Sequence, residues 1–164
     1  MKNDPTSILT QVVARILLLP TVVAAIAILV KGYASPGDGF AAGVVASLGV
    51  LLQHIAHGRG EAERLGAVRY APILAGAGLL LSLLVAIVPL VLGDAVLTHY
   101  PPPGASVVYL GTLELITPVL FDLGIFLLVF GFVVGTITFF ARTISEEREY
   151  AGPGGEHLDL EDDA

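Results

Sequence analysis

Ser35-Pro36-Gly37-Asp38-Gly39-Phe40-Ala41-Ala42-Gly43 stands between two runs of residues apolar enough to cross a bilayer. A backbone that leaves lipid and re-enters it within a few residues must bend sharply while its polar groups stay satisfied. Proline and glycine permit that bend at low cost. Asp38 and the two flanking glycines mark the turn itself, and Phe40 opens a second, glycine-bearing helix that runs on through Gly43.

The remainder of the chain agrees with a membrane setting. Apolar residues make up 55% and charged residues 14% of the 164 positions, and mean hydropathy is +0.84. That balance excludes an ordinary soluble domain. Four apolar segments, Ile8 to Val30, Phe40 to Ala56, Pro72 to Leu92 and Leu115 to Ala141, are each long enough to span about 30 Å of hydrocarbon. The fold predicted is an all-α integral membrane protein with four transmembrane helices. The first segment contains Arg15 and Pro20 and is longer than a signal-peptide core, so it is read as a retained helix. Arg15 is expected to snorkel, Pro20 to kink that helix, and Pro89 to bend the end of the third.

Charge sets the orientation. Lys2, Arg15, Arg59, Arg64, Arg69, Arg142 and Arg148 lie at the amino end, in the middle loop or at the carboxyl end, against Lys31 alone on the opposite side. The positive-inside bias then predicts cytoplasmic termini and a cytoplasmic middle loop in the plasma (inner) membrane. The net charge of −7 is a local property: beyond Thr143, eight acids face one base, Arg148, and account for all of it. Residues 1–145 are read as the membrane domain and 146–164 as a disordered acidic cytoplasmic tail. Without cysteine, disulfides, thiol catalysis and cysteine metal sites are excluded.

Ionisable groups inside lipid are costly and each calls for a reason. Asp122 sits in Val-Leu-Phe-Asp-Leu-Gly-Ile-Phe, about two turns into the fourth segment. Either it belongs to a proton or cation path, or it is a protonated or hydrogen-bonded acid locking helices together. Glu114, Pro118 and Asp122 would share one drifting helical stripe, with Glu114 at the outer interface. Gly124, Gly131 and Gly135 fall mainly on the opposite side and suit close helix packing. His54 and His57, at i and i+3, have a spacing that can ligate a metal but lack the further ligands, so interfacial capping is expected; they can also titrate near neutral pH. His99 reads as a loop residue. No metal site or cofactor site, nucleophile triad, nucleotide loop or nucleic-acid patch is found, and no enzymatic site is expected.

Pro36-Gly37-Asp38-Gly39-Phe40-Ala41-Ala42-Gly43 resembles the Pro-Gly-Gly-Gly-Phe-x-x-Gly signature of the MnhB family, the B subunits of Mrp-type multisubunit sodium/proton antiporters. Glu114-Leu115 followed by Val119-Leu120-Phe121-Asp122-Leu123-Gly124 is similar to the family's Glu-Leu…Val-Leu-Phe-Asp-x-Gly segment, and Leu97-Thr98-His99 to a Leu-Ser-His stretch. The resemblance covers roughly Thr10 to Ala141. Asp38, in place of a glycine, and Pro118 depart from the pattern. The resemblance implies a non-catalytic subunit packed among lipid and the A, C, D, E, F and G subunits of a complex exchanging Na+ for H+. Asp122 and Glu114 are the ion-path candidates. The alternatives are the equivalent subunit of a complex-I-like membrane-bound hydrogenase or sulfane reductase, and a small self-sufficient transporter.

Overall fold

A computed structural model of the chain describes residues 5–31, 38–57, 63–101, 109–110, 113–114 and 116–150. Helices run over Pro5–Lys31 (α1), Asp38–His57 (α2), Gly66–Arg69 (α3), Ala71–Val91 (α4) and Thr117–Tyr150 (α5). A two-residue antiparallel pair, Tyr109–Leu110 (β1) with Leu113–Glu114 (β2), precedes α5; Tyr109 faces Glu114 and Leu110 faces Leu113. Among the described residues, four helices are long and apolar enough to cross a membrane. They match the four predicted segments, with α1 unbroken through Pro20.

The spans pack as α1 on α2, α2 on α5, and α5 on α4. Lipid tails are as apolar as leucine, so burial of apolar surface cannot hold such helices together; close approach of small residues can. The most enclosed span is therefore the glycine-rich one. Along α2, Gly39, Ala42, Gly43, Ala46, Ser47, Gly49, Val50 and Gln53 are buried. A Cβ on Gly43 would lie 2.9 Å from the Val129 Cβ in α5, and one on Gly49 would lie 3.0 Å from the Thr21 Cγ2 in α1. One helix thus uses glycines toward two neighbours.

Between α4 and α5 the same device recurs. Gly78 and Gly124 face each other, a Cβ on Gly124 falling 2.9 Å from the Ser82 nitrogen, and one on Gly131 would fall 2.9 Å from the Ala75 Cα. Buried hydroxyls close their own needs within their helices: Ser47 donates to the Gly43 carbonyl at 2.7 Å, Ser82 to Gly78 at 2.9 Å and Thr138 to Val134 at 2.9 Å.

A buried side-chain bond also crosses between helices. The Gln53 amide Nε2 donates to the Ala14 carbonyl at 2.6 Å. Interhelical bonds of this kind contribute about 0.6 kcal/mol on average and up to about 1.7. Gln53→Leu is expected to lower resistance to unfolding in SDS-containing mixed micelles by about 1 kcal/mol, without loss of helix content by circular dichroism.

At one end of the bundle, Arg142 Nε lies 3.3 Å from Glu63 Oε1, which ties α5 to the segment before α3. At the other end, α4 closes in a Schellman motif. The Asp94 N–H bonds the Pro89 carbonyl at 2.9 Å and the Gly93 N–H bonds that of Leu90 at 3.1 Å, with Gly93 at φ +93°. Pro89 lies in the last turn of α4, fully buried.

Three expectations are corrected. Glu114 lies in β2, not on the fourth helix, which starts only at Thr117; the stripe 114–118–122 does not form. Pro118 consequently falls in the first helical turn, where a missing N–H costs nothing. Among the described residues, Gly135 meets no atom within 4 Å of an added Cβ, so it packs against none of the described helices and opens into a groove of about 910 Å3 between α4 and α5. Finally, α5 continues as helix to Tyr150, five residues into the segment assigned to a disordered tail. Pro36 and Gly37 of the turn, and residues 151–164, lie outside the described residues.

Candidate functional site

Asp122 is 8% exposed, five residues into α5. Gly39, in the first turn of α2, packs directly on its backbone. A Cβ there would lie 2.9 Å from the Asp122 carbonyl carbon and 3.0 Å from its Cα. Two residues on, Gly124 is gripped by Gly78 and Ser82 of α4. The α5 backbone around Asp122 is therefore held from two sides by helices whose side chains have been removed to let it in. Gly39, from the turn motif, and Asp122, from the Phe-Asp-x-Gly motif, are separate in sequence and touch in space.

Beside Asp122 opens a cavity of about 190 Å3, lined by Val85 of α4, Leu97, Thr98 and His99 of the following loop, and Thr117, Pro118, Phe121 and Asp122 of α5. The loop is folded over the helix ends by specific bonds. Leu97 has φ +63°, a left-handed conformation that costs about 1 kcal/mol or more for a residue with a Cβ. Its N–H points back to the Ala86 carbonyl at 3.4 Å. Thr98 closes on Ala95, its N–H and its hydroxyl donating to that carbonyl at 3.1 and 2.6 Å.

Thr117 supplies the clamp. Its hydroxyl oxygen accepts the Tyr100 N–H at 3.0 Å, and its own N–H donates to the Tyr100 carbonyl at 3.0 Å. The first residue of α5 thereby uses both its backbone donor and its side chain to hold the residue next to His99. His99 is exposed at the cavity mouth and Asp122 buried within its lining.

A second bond braces the loop, from the Tyr100 hydroxyl to the Asp94 carboxylate. That hydrogen bond above all, together with lost hydration and the carboxylate's negative charge, raises the Tyr100 phenol above its ordinary 10.0. Because the folded value lies above the unfolded one, the bond's contribution is complete below about pH 10 and is lost as pH rises through the raised value. Absorbance at 295 nm is expected to show one tyrosine of five ionising later than an unperturbed phenol. Asp94→Asn should return it to the ordinary range.

The family described as "Domain related to MnhB subunit of Na+/H+ antiporter" matches residues 9–135. The chain belongs to this family. It is also 35% identical over 121 residues to the B subunit of the Na(+)/H(+) antiporter of Bacillus subtilis (strain 168), a match covering 71% of this chain and 78% of that protein. The resemblance read from the turn and Phe-Asp-x-Gly motifs is therefore borne out, and both motifs fall inside the matched MnhB region.

Within this MnhB domain the structure gathers some sequence candidates and separates others. Gly39, Asp122 and His99 converge on one end of the bundle, whereas His54 and His57 lie in the last turn of α2, at its other end. His54 Nδ1 is 3.1 Å from the Val50 carbonyl, while His54 Nε2 and His57 Nδ1 are buried with no hydrogen-bond partner among the described residues. Asp38 is half-buried in the first turn of α2, where a negative charge complements the helix dipole; Phe40 is 58% exposed. Arg15 is exposed on α1. No group of three or more His, Cys, Asp or Glu able to hold a metal occurs among the described residues.

Sequence reading missed Thr98 and Thr117 as parts of the site, and Ala71, Ala75, Gly78 and Ser82 as the partner face for α5. Their signal was present: small residues spaced four, three and four apart, the repeat of a helix-packing seam.

Proposed function

We propose that this chain is a non-catalytic membrane subunit of a multisubunit cation/proton antiporter, packing against the other subunits and lining part of an ion route at Asp122. Membership of the MnhB family and the likeness to the B subunit of a Na+/H+ antiporter support the general role. The single observation that carries the ion-route reading is Asp122 itself. It is a carboxylate 8% exposed, between two glycine-lined helix contacts, lining a cavity at one end of the bundle.

The cation excess at the opposite end supports an extracytoplasmic position for the cavity end, with the loop carrying Leu97 to His99. Wide apolar faces of α1 and α4, including Leu19 at 70% and Val91 at 80% exposure, are available to lipid and to neighbouring subunits. Four helices with one deep carboxylate do not hold the several sites that alternating exchange of two ions requires, so the exchange machinery is assigned to the larger subunits. Sodium-dependent proton exchange by the complete complex carrying Asp122→Asn tests the reading. Loss of exchange with assembly retained is the result expected, and unchanged exchange would reduce Asp122 to a packing residue.

A further inference from the structure

The groove of about 910 Å3 between α4 and α5 lies at the opposite end of the bundle from Asp122 and has no part in the ion route. It exists because α4 begins only at Ala71, whereas α5 runs on beside it to Tyr150. Gly131 still packs on Ala71 and Ala75, and there the groove is closed. One turn on, at Gly135, nothing described lies within 4 Å of an added Cβ, and the α5 backbone is bare. From Gly131 to Arg142 the lining follows α5 for about 16 Å at about 1.5 Å per residue. That is about half of a hydrocarbon core of about 30 Å, the depth of one leaflet.

Two guanidinium groups belong to the lining. Arg69 stands just before the α4 span, and Arg142 just before the end of the α5 span at Ile144, so both lie at a membrane boundary. Arg69 is exposed, 5.8 Å from the centroid of the Tyr70 ring, and no carboxylate pairs with it among the described residues. Arg142 meets Glu63 through Nε at 3.3 Å, which leaves its terminal N–H groups for another acceptor. Two cations against the Glu63 carboxylate leave the lining with a net positive charge. Phosphate accepts the paired donors of a guanidinium, and basic pockets between helices at the membrane boundary suit anionic head groups.

We propose that this groove is a binding site for an anionic glycerophospholipid, its phosphate held by Arg69 and Arg142 and an acyl chain laid over Gly135 toward Gly131. A neighbouring helix that crosses the bilayer needs a face about 30 Å long, and this groove is closed halfway. Residues 151–164 of this chain supply negative charge but little apolar surface for a lining that includes Phe132, Phe139 and Phe140.

The chain contains no tryptophan, so an introduced one reports alone. Phe139→Trp places it in the groove lining, and Leu19→Trp on α1 is the lipid-facing reference; the native side chains are 66% and 70% exposed. The full chain is reconstituted in phosphatidylcholine vesicles, and quenching by brominated phosphatidylglycerol is compared with quenching by brominated phosphatidylcholine. One net positive charge near the surface is worth about 1 kcal/mol, or about fivefold. Phosphatidylglycerol is therefore expected to be preferred about fivefold at Phe139→Trp, with no preference at Leu19→Trp. Adding Arg69→Gln should abolish the preference. Adding Gly135→Leu should abolish it with both arginines kept, because the new side chain fills the acyl path and no described atom lies within 4 Å of its Cβ to resist it. Equal preference at the two reporters would mean a general surface charge, and a preference surviving Arg69→Gln and Gly135→Leu would equally overturn the site. A preference seen only after removal of residues 151–164 would assign the groove to the tail. A photo-crosslink from Phe139 to another subunit in the complete complex would assign it to protein.

Discussion

Gly39→Leu is expected to remove this protein from the assembled complex, and Gly39→Ala to weaken its assembly severely. Inside an exposed helix, Gly→Ala stabilises by about 1 kcal/mol through backbone entropy. Here the sign reverses, because the new Cβ would sit 2.9 Å from the carbonyl carbon of Asp122 and 3.0 Å from its Cα. Those are backbone atoms of a helix that Gly78 and Ser82 hold on another side at Gly124, so α5 has little room to retreat. Overpacking of this kind costs about 1–3 kcal/mol for a small group, and a leucine adds three more carbons with nowhere to go. The measurement is the amount of this protein that co-purifies with the complex, paired with SDS-induced unfolding of the protein alone. Gly76→Ala is the matched control: among the described residues no atom lies within 4 Å of its added Cβ, so it should be neutral or slightly stabilising. If Gly39→Leu assembles normally, the close approach of α2 to α5 is wrong.

That contact also explains what was legible in the sequence. The four spans could be read because hydrophobic length is a local property, and α2 and α4 begin and end within two residues of the segments expected. The two motifs could be read as signatures, but not as a contact: nothing local places Gly39 against Asp122, since α2 meets α5 only through the folded bundle. Glu114 was misplaced because an apolar run with a leading acid looks like a helix start. Thr117, able to bond the incoming loop with its own N–H and hydroxyl oxygen, begins the helix instead. Gly135 was read as a packing residue from a small-xxx-small step to Gly131. In fact Gly131 meets Ala71 and Ala75, whereas Gly135, one turn further on, opens into the groove. Spacing identifies a helix face and is silent on whether this chain covers it.

The site shows the same division. Asp122 was identifiable because a carboxylate in an apolar span is costly anywhere. His99 read as a loop residue, and it is one; its position at the cavity mouth depends on the Leu97 turn and on Thr117 fastening Tyr100, both consequences of the chain returning over its own helix ends.

Asp122→Asn should reduce sodium-dependent proton exchange by the complete complex at least about tenfold while leaving its assembly intact. A charge-assisted contact is worth about 1.5–3 kcal/mol, and each 1.4 kcal/mol is a factor of ten. Asparagine keeps the size of the side chain and a carbonyl acceptor, so the helices gripping this backbone through Gly39 and Gly124 are not asked to move. What it removes is the capacity to carry a negative charge or to give up a proton. The two variants at this contact therefore fail in different ways: Gly39→Leu lowers the amount of complex, whereas Asp122→Asn lowers the exchange per complex. A structural acid predicts the opposite pattern for Asp122→Asn, with assembly changed, if anything, and exchange by the surviving complex unaltered. Exchange per assembled complex, measured in vesicles whose protein content is quantified in the same preparation, separates the two. The separation holds because the Asp122 backbone is fixed by glycines on two helices, leaving its carboxyl group as the variable being tested.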